Sequence, residues 1–430
     1  MILRKYLLWV LPSLSVYCNT PSSRAINHRI VFIQKEGKQY TLYRNGKPFT
    51  IRGASGYTHL QRLHKAGGNT IRTWDTTNIG AILDDARRHH LAVIAGLPMP
   101  GSGYLNHFYK DTAKVGAQYR AFARIVRRYK NHPALLMWCL GNELGFPCKP
   151  GYSAFYKAFN DLLDMIHVTD PDHPVTTTLA NFNIVQALLV KWKVHGLDLL
   201  SFNTFGKLKT LDKQLKRNAW LWNGPFVVTE WGAYGPWESA LTAWDAPIES
   251  TSTKKAEHYR VLYRHLPVKA PGFLGALVFY WGQKQETTST WFSMFDELGA
   301  ATEAVGVMQH LWTGRAPEHT APQLEYMLVD KRGAQDNIML APGTRHTAEI
   351  LLENRGADTL SVQWEIWQED WFSATGLAPL RMPDTLLAPA GTYTMMFRAP
   401  SNAGPYRIYV KVWDGHGNVA TANTPFYVVD

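Results

Sequence analysis

Short unbroken apolar runs recur through the first three hundred residues, and between them apolar positions return every third or fourth residue. The runs read as buried strands and the spaced stretches as amphipathic helices. Strands are predicted at residues 51–57, 69–75, 91–97, 134–140, 174–179, 197–203, 226–231 and 272–281. Helices are predicted at 59–66, 79–90, 113–129, 152–168, 183–194, 208–218, 253–266 and 301–312. Eight strands, each followed by a helix, predict an α/β fold, a closed (β/α)8 TIM barrel. Ahead of it, residues 40–44 and 47–51 flank Asn45-Gly46, the dipeptide that a tight type I′ hairpin turn favours.

The pattern changes after residue 312. Residues 313–322 are polar and contain two prolines, and beyond them apolar and polar residues alternate at 347–353, 361–367, 392–398 and 406–413. Alternation broken by Gly, Pro, Asp and Asn turns predicts an all-β sandwich of immunoglobulin or fibronectin type. The expected organisation is a leader at 1–25, a barrel with its hairpin at 26–312, a linker at 313–322 and a sandwich at 323–430. The linker is expected to let the barrel fold alone. Trp364, Trp367 and Trp371 of the sandwich are expected mainly in its core, with a sugar-binding face as the other reading. The leader opens Met1-Ile2-Leu3-Arg4-Lys5, and its apolar stretch from residue 6 to 16 is too short to span a bilayer. That reads as a secretory signal, with a lipid anchor on Cys18 as an option. A secreted, periplasmic or cell-surface protein without a transmembrane span in its mature chain is expected.

Composition narrows the classes. At 46% hydrophobic and 18% charged, the 430-residue chain suits a globular protein and not a disordered one. Its formal charge of +11 suits acidic partners such as anionic polysaccharide, but no Lys/Arg block or nucleic-acid motif accompanies it. Outside the leader only Cys139 and Cys148 remain, so this is not a disulfide scaffold, though one bridge between them is possible. The chain has no His-Glu-x-x-His, no Gly-x-Ser-x-Gly and no phosphate loop. No metal or cofactor is expected.

Two strands deliver carboxylates at their carboxyl ends, where a barrel builds its active site. Residues 134–140 lead into Gly141-Asn142-Glu143, and residues 226–231 contain Thr229-Glu230-Trp231. Paired carboxylates are the equipment of retaining glycoside hydrolysis, one as acid/base and one as nucleophile. Trp138 and Gly141 beside Glu143 are expected to keep it protonated in apolar surroundings. A plainer reading makes Glu143 the cap of the next helix.

Arg127-Arg128-Tyr129-Lys130-Asn131-His132-Pro133, the apolar strand and Gly141-Asn142-Glu143 together resemble the acid/base segment of glycoside hydrolase family 2. The Asn45-Gly46-Lys47-Pro48-Phe49 hairpin leading to Arg52-Gly53 is similar to that family's approach to its barrel. Gly68-Asn69-Thr70-Ile71-Arg72-Thr73 and Thr229-Glu230-Trp231-Gly232 resemble its second and seventh strands. The likeness covers residues 38–312 and extends to family 5 and the β-1,3-glucanosyltransferases of the same clan. It implies a retaining β-glycoside hydrolase in which Glu230 attacks the anomeric carbon and Glu143 acts as acid and base. Asn142 would bond the sugar 2-hydroxyl, Arg72 would hold Glu230 ionised and Trp281 would stack on the sugar. Trp74 and Tyr104 would serve neighbouring subsites. The chain departs at Ser201-Phe202-Asn203-Thr204-Phe205, where clan members carry a Tyr or His beside the nucleophile, so that contact is missing or supplied from elsewhere; Asn203 is a substrate-binding candidate. A transglycosylase using the same residues and an inactive carbohydrate-binding protein are the alternatives.

Overall fold

Eight parallel strands close on one another: β1 (Ile51–Ser55), β2 (Thr70–Arg72), β3 (Ala92–Leu97), β4 (Leu135–Leu140), β5 (Val175–Ala180), β6 (Leu199–Asn203), β7 (Phe226–Trp231) and β8 (Phe273–Val278). They follow the order β7-β8-β1-β2-β3-β4-β5-β6 and form a barrel. The computed structural model describes residues 29–356, 359–369, 380–381 and 393–430, so the leader, Cys18 and Trp371 lie outside the described residues.

The helices fall where apolar spacing predicts them, with one addition. A short helix, Leu105–Lys110, precedes the long one at Thr112–Tyr129, and Asp111 separates them by accepting from the Ala113 and Lys114 amides. Strands β2 and β8 are shorter than predicted. Both lose residues at the carboxyl end, where Trp74, Phe279 and Tyr280 run on into the barrel mouth and Trp281 turns into the helix layer.

The barrel interior is filled by Ile94, Met137, Leu199, Val227 and Leu277, all but excluded from solvent. Its amino-terminal end is plugged by three short strands, Val31–Glu36, Gln39–Arg44 and Lys47–Pro48. Val31 and Leu42 join the barrel core from there, and the Val31 and Tyr40 amides donate to the Asp172 and Pro271 carbonyls at 3.0 and 2.8 Å. Asn45 (φ 51°) and Gly46 (φ 74°) adopt the left-handed backbone that the expected turn requires.

Beyond the closing helix Glu303–Thr313, two sheets pack face to face. One contains Gln323–Val329, Arg345–Asn354 and Thr394–Arg398. The other contains Met339–Leu340, Val419–Val428, Gly404–Trp413, Ser361–Gln368 and Leu380–Arg381. Trp364 is in the shared core, while Trp367 donates to Glu365 Oε2 at 3.0 Å. Three residues apart on a strand, the two rings point to opposite faces, so they cannot form one sugar platform.

The segment after residue 313 does not hold the sandwich away from the barrel. Buried Arg407 reaches the Pro247 carbonyl at 2.9 Å and Glu369 at 2.5 Å. Asn423 donates to Glu249 at 2.7 Å, and Glu249 pairs with Lys255 inside the same dry layer. Backbone bonds between Ala301 and the 417–419 turn stitch the edge.

Candidate active site

Strand β4 is buried along all six residues and then breaks sharply. Gly141 (φ 77°) and Glu143 (φ 51°) both take left-handed backbone, which is costly for a glutamate. That kink turns Asn142 and Glu143 into the open mouth of the barrel. The next helices, Pro150–Tyr152 and Ser153–Thr169, begin several residues later without a side-chain cap, so Glu143 is not a helix cap. Trp138 does not flank it either. Its indole donates to Asp170 Oδ2 at 2.8 Å, on the helix side of the strand. The apolar shell expected around Glu143 is therefore absent on that side, because Trp138 and Glu143 project to opposite sides of the barrel wall.

Glu230 leaves β7 almost wholly buried, 6% exposed. Arg72 at the end of β2 donates to Glu230 Oε1 at 2.5 Å, and Trp74 donates its indole N–H to the same oxygen at 2.8 Å. The other guanidinium nitrogen of Arg72 reaches Asn142 Oδ1 at 2.6 Å and Thr178 Oγ1 at 3.2 Å. Asn203 completes the ring of contacts. Its amide donates to Asn142 Oδ1 at 3.2 Å and to Glu143 Oε1 at 2.7 Å, while its own oxygen accepts from Thr229 Oγ1 at 2.9 Å. The two carboxylates are thus joined through Arg72, Asn142 and Asn203. With two donors already on its oxygen, Asn142 keeps its amide hydrogens for the cleft.

Burial pushes the Glu230 carboxyl above the usual glutamate range. The Arg72 charge opposes this, the Glu143 charge adds to it, and the bonds from Trp74 and Arg72 pull it down again. The downward pull expected from Arg72 is present, but desolvation outweighs it.

Asn142, Glu143, Arg72, Trp74, Asn203 and Glu230 come together at the carboxyl ends of the strands. Trp281 does not join them. It has no exposed surface, packs against Phe295 and Trp312, and donates to the His59 carbonyl at 3.4 Å. Strand β8 ends at Val278, and the chain turns Trp281 back into the helix layer. A fully enclosed ring cannot stack on a sugar, so its expected role is corrected to core packing. Tyr104 sits on the loop after β3, 73% exposed, without a bond to either carboxylate.

The wall beside Glu230 comes instead from residues the strand pattern did not single out. Tyr280 stacks on Trp74 at 5.8 Å and Phe279 meets it edge-on at 6.0 Å. Lys284 lies over the Phe279, Tyr280 and Trp74 rings at 4.8, 5.8 and 5.9 Å, and pairs with Glu286 at 2.6 Å. The only sequence signal for them was the aromatic pair at the end of an apolar run. Glycine at position 96 makes room for this arrangement, since a Cβ there would lie 2.5 Å from the Trp74 carbonyl carbon. Among the described residues no cluster of His, Cys, Asp and Glu has the makings of a metal site. Cys139 and Cys148 are both free.

Residues 23–235 match the family model for the TIM barrel domain of glycosyl hydrolases family 2. A β-galactosidase of Alteromonas mediterranea is 27% identical over 169 residues, 34% of this chain and 15% of that protein. A β-glucuronidase of Chlorocebus aethiops is 24% identical over 217 residues, 44% of this chain and 32% of that protein. The chain therefore matches a third or less of the length of these relatives. Among solved structures, the Bifidobacterium dentium β-glucuronidase superposes with a TM-score of 0.52 at 18% identity, over 66% of this chain and 49% of that one. Bacteroides uniformis β-glucuronidase 2 gives 0.50 at 12% identity, over 93% of this chain and 48% of that one. At such identities the likeness is one of fold.

Proposed function

The barrel belongs to the glycosyl hydrolases of family 2, and from that premise we propose that the chain is a retaining β-glycosidase. The observation that carries the reading is the placement of Glu143 and Glu230 on the ends of β4 and β7, joined through Arg72, Asn142 and Asn203. Glu230 attacks the anomeric carbon and the glycosidic bond breaks as Glu143 protonates the departing oxygen. Glu143, now an anion, then takes a proton from water, which displaces Glu230 and releases the sugar with its configuration retained. Asn142 offers its free amide hydrogens to the 2-hydroxyl. Arg72 and Trp74 aim one oxygen of Glu230 and leave the other to attack. Exposed Glu143 suits a group that must meet both the leaving group and water.

The relatives carry two sugar names, and Lys284 favours the acidic one. An ammonium over the aromatic wall beside the nucleophile suits a uronate or another anionic sugar, with Glu286 exchanged for the substrate's carboxylate. The leader supports a secreted or cell-surface enzyme acting on a β-linked oligo- or polysaccharide.

The test is turnover of aryl β-glucuronide, β-galactoside and β-glucoside by the chain and by Glu230→Gln. Release of the aryl alcohol from one or more, abolished in the variant, is expected. No turnover across these and natural β-glycans would leave the binding-protein alternative. Product analysis with added acceptor sugar separates hydrolysis from transglycosylation.

A further inference from the structure

The outer helix between β5 and β6, Ile184–Lys193, shows its apolar residues to solvent. Ile184, Val185 and Leu188 are between 41% and 55% exposed and Trp192 is 71% exposed. At 100° per residue these four fall within an arc of about 100°, a single continuous face. Trp220, 63% exposed, extends it from the segment before β7. Lys191 fastens the two parts by donating to the Trp220 carbonyl and lying over its ring at 5.9 Å. Lys193 lies over the Trp192 ring at 5.8 Å. Five large apolar side chains on one flank exceed the scattered exposure that a soluble surface ordinarily shows.

The surrounding charge selects the occupant. From residue 173 to 197 there is no Asp or Glu. The neighbouring helix Leu208–Arg217 adds Lys209, Lys213, Lys216 and Arg217 against one acid, Asp212, which Lys216 already pairs at 2.6 Å. A two-fold contact with a second copy would set these cationic rims against each other. A glycan would meet Ile184, Val185 and Leu188, which offer its hydroxyls nothing, and lysines already cover one face of each Trp. On the other side the helix Ser153–Thr169 carries Asp161, paired with Lys157 at 2.6 Å, and Asp164. Tryptophans and aliphatic residues flanked by lysines on the Leu208–Arg217 side match instead the boundary between headgroups and acyl chains of an anionic bilayer.

We propose that this flank docks the protein on an anionic lipid surface, with Leu188, Trp192 and Trp220 entering the headgroup layer and the lysines pairing with lipid phosphates. The contact is peripheral, since among the described residues no helix is long and apolar enough to cross a membrane. The proposal does not depend on the glycosidase reading.

Co-sedimentation of the full chain with vesicles tests it. Binding to phosphatidylcholine mixed with phosphatidylglycerol should be at least tenfold tighter than to phosphatidylcholine alone, and salt should weaken it. Leu188→Gln combined with Trp192→Ser should reduce it about tenfold at an unchanged melting temperature. If that pair melts early, Val185→Gln on the same face is judged by the same readings. Sedimentation of neither vesicle type with the protein, or binding untouched by these substitutions, overturns the proposal. So does a lipid-free dimer that Trp192→Ser converts to monomer, or binding to a glycan column lost in that variant.

Discussion

In the proposed mechanism Glu230 attacks as an anion, from a place where burial favours its neutral form. Under that proposal, activity on the acid side rests on the partners that favour the carboxylate, Arg72 and Trp74. A carboxyl raised above its usual range is protonated at a higher pH, so kcat/KM should begin to fall above the ordinary glutamate range as the solution is acidified. Trp74→Phe keeps the ring and deletes the N–H. A hydrogen bond to a charged group is worth about 1.5 kcal/mol, so the acid limb should move up by about one pH unit. An unmoved limb, or one moved down, would show that Trp74 does not stabilise the anion. Trp281 gives the opposite pattern. Enclosed between Phe295 and Trp312, it should lower stability when replaced by Phe, with KM unchanged. A rise in KM at unchanged stability would return Trp281 to the sugar site.

At the scale of elements, the amino-terminal strands act as a floor to the barrel. Leu42 is 1% exposed and packs with interior residues such as Leu136 and Leu277. Leu42→Ala should cost about 2–5 kcal/mol, read as a lower denaturation midpoint. Activity per folded molecule should stay unchanged, because the floor lies at the end opposite the glutamates. An unshifted midpoint would mean that the strands merely lean on the barrel. The eight strands and the floor hairpin were legible in the sequence because period and turn chemistry are local signals: Asn45-Gly46 names its own turn. The position of Glu143 and Glu230 at the barrel mouth was legible because a polar residue ending a buried run has few places to go. Trp281 misled because the run Gly272–Trp281 does not reveal where the ladder stops, three residues earlier. Trp74 appeared only as a possible stacking ring, since its N–H bond spans 156 positions and has no periodic trace.

Across the whole molecule, the same lack of local signal hid the junction between barrel and sandwich. The prolines and polar residues of 313–322 resemble a spacer, yet Arg407, Glu369, Asn423, Glu249 and Lys255 meet in one buried layer across the joint. Each ion pair lies within one part, Glu249 with Lys255 in the barrel and Arg407 with Glu369 in the sandwich. Arg407 and Asn423 nevertheless bond across the joint to the Pro247 carbonyl and Glu249, so removing the sandwich deletes those bonds and opens the layer to water. A chain ending at Arg315 should therefore aggregate or melt well below the full chain, and Arg407→Met should lower the melting temperature of the intact one. A soluble barrel with the full chain's melting temperature would show that the two parts are independent after all. The layer also anchors the segment after β7 at Pro247 and Glu249. Anion rescue with an activated aryl β-glycoside tests most directly the proposal that Glu230 is the nucleophile and Glu143 the acid/base. Glu143→Ala should form the glycosyl-enzyme, stall, and turn over again with azide to give the β-glycosyl azide. Glu230→Gly should form no covalent intermediate, and its azide product should be the α anomer. Exchanged anomers, or either variant retaining near-wild-type activity without azide, would contradict the assignment.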